Sequence, residues 1–187
     1  ILPHISKRVS KKWYAKDEEG EFISNCHLSN LDFTKGEWMI LATTNKLLKE
    51  FSEHFYRTGL RIFGKNNSIL PNSVLEAYRF WIKLNNGELI ATENWQQLSF
   101  EEDTKNYIKS ILKNGDDLST DSRIELSTIH GAKGRERENI VLCMDYGTET
   151  QSEMLSQKAL DDPDSTHRLF FVGVTRAMQR LYILAPL

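Results

Sequence analysis

The sequence predicts an α/β fold built on a parallel sheet, and three observations predict it. A short, wholly apolar run, Trp38-Met39-Ile40-Leu41-Ala42, reads as a strand buried on both faces. An amphipathic helix and a second apolar run follow it at once, which is the strand–helix–strand rhythm of parallel pairing. The same rhythm returns after residue 121, with strand patterns at 124–128, 139–144 and 180–184 and a helical pattern between the last two.

Taken in order, residues 1–36 are polar and mixed. They include a basic stretch, Lys7-Arg8-Val9-Ser10-Lys11-Lys12-Trp13-Tyr14, and an acidic one, Asp17-Glu18-Glu19-Gly20. A solvated helix end and turn is the favoured reading of both, ahead of a nucleic-acid contact. After the strand at 38–42, Thr43-Thr44-Asn45 leads into a helix on which Leu47, Leu48, Phe51 and Phe55 recur at helical spacing to about Arg57. Gly59 ends that helix, and Leu60-Arg61-Ile62-Phe63 is the second strand.

The middle of the chain is less regular. Val74 to Leu84 and Phe100 to Lys113 read as helices, separated by the turn Asn85-Asn86-Gly87, and make a short helical insertion at about 66–121. The strands Ile124–Thr128 and Asn139–Met144 come next, then a polar surface excursion from Thr148 to Asp164. A helix from His167 to Met178 and a strand from Arg180 to Leu184 close the chain. The domain expected is 37–187, with 1–36 as a segment leading into it.

Composition bounds the function less tightly. The 187 residues are 40% hydrophobic and 27% charged, as in an ordinary folded domain. Lys and Arg number 24 against 26 Asp and Glu, which argues against a strongly basic DNA-coating protein but leaves room for a local basic groove. Two cysteines, Cys26 and Cys143, are too few for a disulfide scaffold and point to a reducing, cytoplasmic compartment. Neither Cys26-His27 nor any other pair has metal-ligand spacing, and no apolar stretch is long enough to span a membrane, so neither a metal site nor a membrane partner is expected. The chain opens Ile1-Leu2-Pro3 without methionine, which is read as a sign of sequence preceding it.

Two segments carry chemistry. In Leu126-Ser127-Thr128-Ile129-His130-Gly131-Ala132-Lys133-Gly134-Arg135-Glu136, a strand ends in a hydroxyl and a histidine and enters a Gly-Ala-Lys-Gly turn. Small residues there let backbone N–H groups approach a phosphate, and Lys133 adds a point charge. In His167-Arg168-Leu169-Phe170-Phe171-Val172-Gly173-Val174-Thr175-Arg176-Ala177, a polar Thr-Arg pair ends an otherwise apolar helix. An unpaired buried arginine is costly, so Arg176 either pairs internally, with Asp145 or Glu136 for example, or meets an anion from outside.

Together the two segments, in this order and spacing, resemble motifs V and VI of the UvrD/Rep-like superfamily 1 DNA helicases. Trp38–Asn45 more loosely resembles that family's motif IVa strand. The resemblance covers about 36–65 and 122–187. It implies a RecA-like (P-loop NTPase-type) second motor domain, in an enzyme that couples ATP hydrolysis to single-strand translocation, 3′ to 5′, and to duplex unwinding. By resemblance Arg176 is the arginine finger on the γ-phosphate, with Lys133, Gly134 and Glu136 near the nucleotide and Glu136 placed on a ribose hydroxyl. Thr128, His130, Asn45 and Thr43 fall at DNA contacts, on single-stranded or junction DNA, although the family usually carries arginine where Thr43 stands. It also usually has apolar residues where Arg135 and Arg137 stand, which suggests an exposed loop or an extra phosphate contact here.

No Gly-x-x-x-x-Gly-Lys-Ser/Thr loop occurs in the 187 residues. ATP and Mg²⁺ are therefore expected mainly on a first RecA-like domain outside this sequence, without which no ATPase is expected. The short middle section implies a compact, phage-type member of the family, in a bacterial or phage-infected cell. The competing expectation is a non-catalytic RecA-like module that binds nucleic acid or a protein partner.

Overall fold

A computed structural model describes residues 17, 19–64, 70, 72–84, 98–118, 120–145 and 164–185. In chain order the elements are β1 (Glu21–Cys26), a 3-10 turn (Leu28–Asn30), β2 (Trp38–Ala42), α1 (Asn45–Thr58) and β3 (Ile62–Phe63). There follow α2 (Asn72–Leu84), α3 (Glu102–Lys113), β4 (Ile124–Thr128), β5 (Arg137–Leu142), α4 (Ser165–Val174) and β6 (Ala177–Leu184). The strands form one sheet in the order β1-β6-β5-β2-β4-β3, with every pairing parallel. With helices on both faces, this is the RecA-like α/β arrangement expected.

The sheet's pleat divides the core in two. Trp38, Ile40 and Ala42 point to one face with Ile124, Leu126 and Val141, where Leu47, Leu48, Phe51 and Phe55 of α1 cover them. Met39 and Leu41 point to the other with Ile140 and Leu142, under Phe170 of α4 and Ile129 and Ala132 of the loop after β4. A strand covered on both sides tends to be apolar throughout, and β2 is apolar and buried at all five positions.

Helix α1 starts and stops by local chemistry. The Thr44 hydroxyl accepts from the Leu47 N–H at 3.4 Å, and Gly59 closes the helix in the left-handed region at φ +69°, donating to Phe55 and Tyr56 carbonyls. Helices α2 and α3 form their own cluster, around Leu70, Tyr78, Tyr107, Ile108, Ile111 and Leu118. Helix α3 is pinned to the end of α1 by polar bonds: Tyr107 Oη donates to Leu60 O at 2.7 Å, and Asn114 Nδ2 to Thr58 O at 2.7 Å.

Several boundaries differ from those expected. β1 was not foreseen within the polar 1–36 segment. It is an edge strand whose residues are exposed or half-buried, so its pattern carries no apolar signal. It pairs with β6, and Glu21 and Arg180 form an ion pair at 3.1 Å. The last helix stops at Val174 rather than Met178, because the Thr175 hydroxyl and then Arg176 turn back onto its final carbonyls. β5 and β6 accordingly start two and three residues earlier than expected. The 7–14 basic stretch, the 85–87 turn and nearly all of the 148–164 excursion lie outside the described residues. No helix among the described residues is long and apolar enough to cross a membrane, and none of their His, Cys, Asp and Glu side chains group as a metal site.

Candidate functional site

Parallel register decides which of the expected residues meet. Ala42 of β2 is level with Thr128 of β4, and Ile129 N–H donates to Ala42 O at 3.0 Å. Thr43, Thr44 and Asn45 therefore leave the sheet beside Thr128, Ile129 and His130, at the carboxyl edge. Asn45 and His130 are exposed there, while Thr43 is half-buried and its hydroxyl donates to Asp145 O at 3.0 Å.

The other expected group lies at the opposite end of the sheet. Arg137 is level with Ala177 where β5 and β6 begin, and Asn139 is level with Trp38. At about 3.3 Å per residue, Arg137 and Thr128 are roughly 20 Å apart along the strand direction. The loop from Ile129 to Glu136 spans this length in a single crossing over β2. Lys133, Gly134 and Glu136 are exposed along its second half.

The first half of the loop is a turn organised by Thr128. Its hydroxyl accepts from Gly131 N–H at 3.1 Å, and its carbonyl accepts from Ala132 N–H at 3.0 Å. A side chain at Gly131 would press on Ser127 Oγ and Thr128 Oγ1, 3.0 and 3.1 Å from its Cβ. Gly134 instead sits at φ +82° with nothing within 4 Å of where a Cβ would stand, so its backbone is open to approach.

Arg176 occupies the turn between α4 and β6. Its guanidinium donates from Nε to Val172 O at 3.0 Å, from Nη2 to Thr175 Oγ1 at 3.0 Å and from Nη1 to Arg135 O at 3.4 Å. All three acceptors are neutral. The pairing with Asp145 or Glu136 does not form; among the described residues no carboxylate lies within 4.0 Å of Arg176. The cation thus sits at the negative end of α4 with its full charge unmatched, half-buried and braced against the loop.

The sequence reading missed the residue beneath that loop. Glu125 points from β4 onto the face shared with Met39 and is fully buried. Its Oε1 accepts from Arg135 Nη1, and Arg137 Nη2 lies 2.9 Å from Oε2 as an ion pair without hydrogen-bond alignment. Arg135 Nη2 also donates to Ser127 Oγ at 2.8 Å and Gly131 O at 2.6 Å. The loop is exposed as expected, Arg135 included, but both arginines pair with Glu125 beneath it. The signal available was one acidic residue inside an apolar strand, ten residues before an arginine.

No curated protein matches the sequence. Among solved structures, the C-terminal domain of a possible DNA helicase from Lactobacillus plantarum WCFS1 is similar at 16% identity, over 83% of this chain and 74% of that one, with a TM-score of 0.24. The fold assignment rests on the sheet topology rather than on that superposition. A sequence model of the UvrD-like helicase C-terminal domain matches residues 87–186, which take in β4, the crossing loop, α4 and Arg176. With more than half of its length matched, the chain belongs to the UvrD-like helicase C-terminal domain family.

Proposed function

We propose that this chain is the second motor domain of an ATP-dependent DNA helicase, and that Arg176 serves as its arginine finger toward ATP held mainly by a first RecA-like domain. The observation that carries the reading is the guanidinium of Arg176, fixed by three neutral oxygens beside the end of the crossing loop, with no carboxylate within 4.0 Å among the described residues. A planar, permanently charged group held this way suits a γ-phosphate, and it needs no reorganisation when charge develops. Bound Mg²⁺·ATP would supply the phosphoryl chemistry. Here Arg176 would hold the γ-phosphate, Glu136 would accept from a ribose hydroxyl, and Lys133 with the open backbone at Gly134 would line the nucleotide's approach.

At the carboxyl edge, Thr43, Asn45, Thr128 and His130 would follow the backbone of a single DNA strand. The Ile129–Glu136 loop joins the two edges, so a shift at the nucleotide end is carried mechanically to the DNA end. Translocation 3′ to 5′ follows from the family resemblance.

The test uses the chain together with its first motor domain. DNA-stimulated ATP hydrolysis is expected there and not from this chain alone. Arg176→Ala should abolish the hydrolysis while leaving nucleotide binding largely intact. Robust hydrolysis by that variant would overturn the finger assignment. Nucleic-acid binding with no hydrolysis in the combined protein would point to a non-catalytic module.

A further inference from the structure

We infer that Glu125, with Arg135 and Arg137, forms an internal clamp that sets the nucleotide end of the crossing loop against Arg176, which makes Glu125 a positioning residue. The inference deepens the proposed function and rests on it for its catalytic consequence, although the clamp itself is a matter of geometry alone.

The bonds run in series. The fully buried carboxylate of Glu125 holds the guanidinium groups of Arg135 and Arg137 on its two oxygens. The same two residues grip Arg176 through their backbone: Arg135 O accepts from Arg176 Nη1 at 3.4 Å, and Arg137 N–H donates to Arg176 O at 3.2 Å. Arg135 also folds back on Gly131 O, at 2.6 Å, so the clamp reaches both halves of the loop. Arg137 extends it to Glu37, 3.8 Å away, in the segment just before β2.

A clamp of this kind is an expensive way to hold a fold. Burying a carboxylate beneath two part-exposed arginines gains little over apolar packing of the same shape, whereas removing the arginines leaves the carboxylate's charge stranded. What it adds is direction. Two ion pairs on one carboxylate place the loop end in one position, which apolar side chains do not do with equal precision. The accuracy falls where it matters, because the guanidinium of Arg176 takes one of its three acceptors from Arg135.

The chain itself provides the first test, independent of any helicase activity. In Glu125→Gln the Arg137 amide, bonded to Arg176, should lose hydrogen-exchange protection by about tenfold or more, while the amides of β2 and of Ile140–Leu142 keep theirs. Because loss of both ion pairs could unfold that variant, Glu125→Leu/Arg135→Leu/Arg137→Leu removes the clamp without leaving a buried polar group in its place. It should show the same local loss at residue 137 in a protected sheet. Unchanged protection at 137 in the triple variant, or loss across the whole sheet in both variants, would overturn the clamp as a positioning device.

The second test uses the combined motor domains. There the triple variant should lower kcat for DNA-stimulated ATP hydrolysis by about tenfold or more with KM for ATP little changed, as misplacement of a catalytic group does. If exchange behaves as expected but kcat does not move, the positioning role is wrong although the clamp is real. If the wild-type pair of domains shows no hydrolysis at all, the helicase reading fails and the exchange result still stands.

Discussion

The backbone N–H of Arg137 donates to the carbonyl oxygen of Arg176 at 3.2 Å, where β5 and β6 begin side by side. This bond ties the residue that follows the crossing loop to the residue that precedes β6. Two segments about forty residues apart in sequence thereby share one corner of the molecule, and the cation in that corner has no carboxylate within 4.0 Å among the described residues.

Arg176→Ala and Arg176→Lys separate catalysis from stability. The guanidinium caps the carboxyl end of α4 through bonds to neutral oxygens, a contribution of about 0.3–1 kcal/mol. Thermal or urea unfolding of either variant should therefore shift only slightly. ATP hydrolysis by the combined motor domains should fall on the order of 10³-fold for alanine. Lysine should restore little of it, since a point charge cannot reproduce the planar fork. Full activity in Arg176→Lys would show that charge alone suffices there.

At the carboxyl edge, Thr43→Arg places a cation beside Asn45 and His130, both exposed. Titration of single-stranded DNA against salt should give tighter binding, with the log–log slope steeper by about one, as one more phosphate contact requires. The variant loses the hydroxyl bond to Asp145 O at a cost of about 1 kcal/mol, so its stability should drop modestly. His130→Ala should weaken binding in the opposite direction without touching the fold. Affinity indifferent to both changes would remove this edge from the DNA path.

Elements with a strong period were legible in the sequence, and those defined by pairing alone were not. Trp38–Ala42 stands where its apolar run puts it, because burial on both faces favours apolar side chains throughout, and Ile124–Thr128 stands where expected although it buries Glu125 and Ser127. Glu21–Cys26 escaped notice because it is a half-covered edge strand held by its bonds to β6. At the site, Thr128, His130 and Arg176 could be singled out as residue types at segment ends. That the first two and the last occupy opposite ends of the sheet follows only from register, which one strand's sequence does not encode. The inward pairing of Arg135 and Arg137 depended on Glu125, whose side-chain direction is fixed by the pleat and not by its neighbours in sequence.

Gly59→Ala tests how the helical pair between β3 and β4 is held to the sheet. Gly59 lies at φ +69°, and a Cβ there would stand 2.5 Å from Ser110 Cβ on α3. Gly115→Ala, at φ +73° with nothing within 4 Å, carries the backbone strain alone, about 1 kcal/mol. The Gly59 variant should be destabilised by that amount plus the cost of pushing α3 away, about 1–3 kcal/mol more. Denaturant unfolding of the two variants side by side measures the difference. Equal destabilisation would mean that α3 shifts freely and is not packed against the α1 cap.

Alkaline pH offers a final prediction, centred on Cys143. The residue follows β5 directly and is fully buried against the α1 face of the sheet. Burial pushes its thiol up to about 11. In the unfolded chain the thiol releases its proton from about pH 8.5 upward, whereas in the folded chain it keeps that proton until about pH 11. Across this window the folded state binds more protons, so stability is fully present below pH 8.5 and falls as pH rises. The loss attributable to this thiol reaches at most about 2–3 kcal/mol near pH 11. Burial also raises Cys26, Tyr78 and Tyr182, whose contributions have the same sign, and those of the tyrosines begin higher. Cys143→Ala should therefore flatten the first part of the decline, between about pH 8.5 and 10, and leave the later part in place. Urea unfolding at half-unit intervals of pH follows both proteins; parallel curves over that interval would show that Cys143 ionises as freely folded as unfolded.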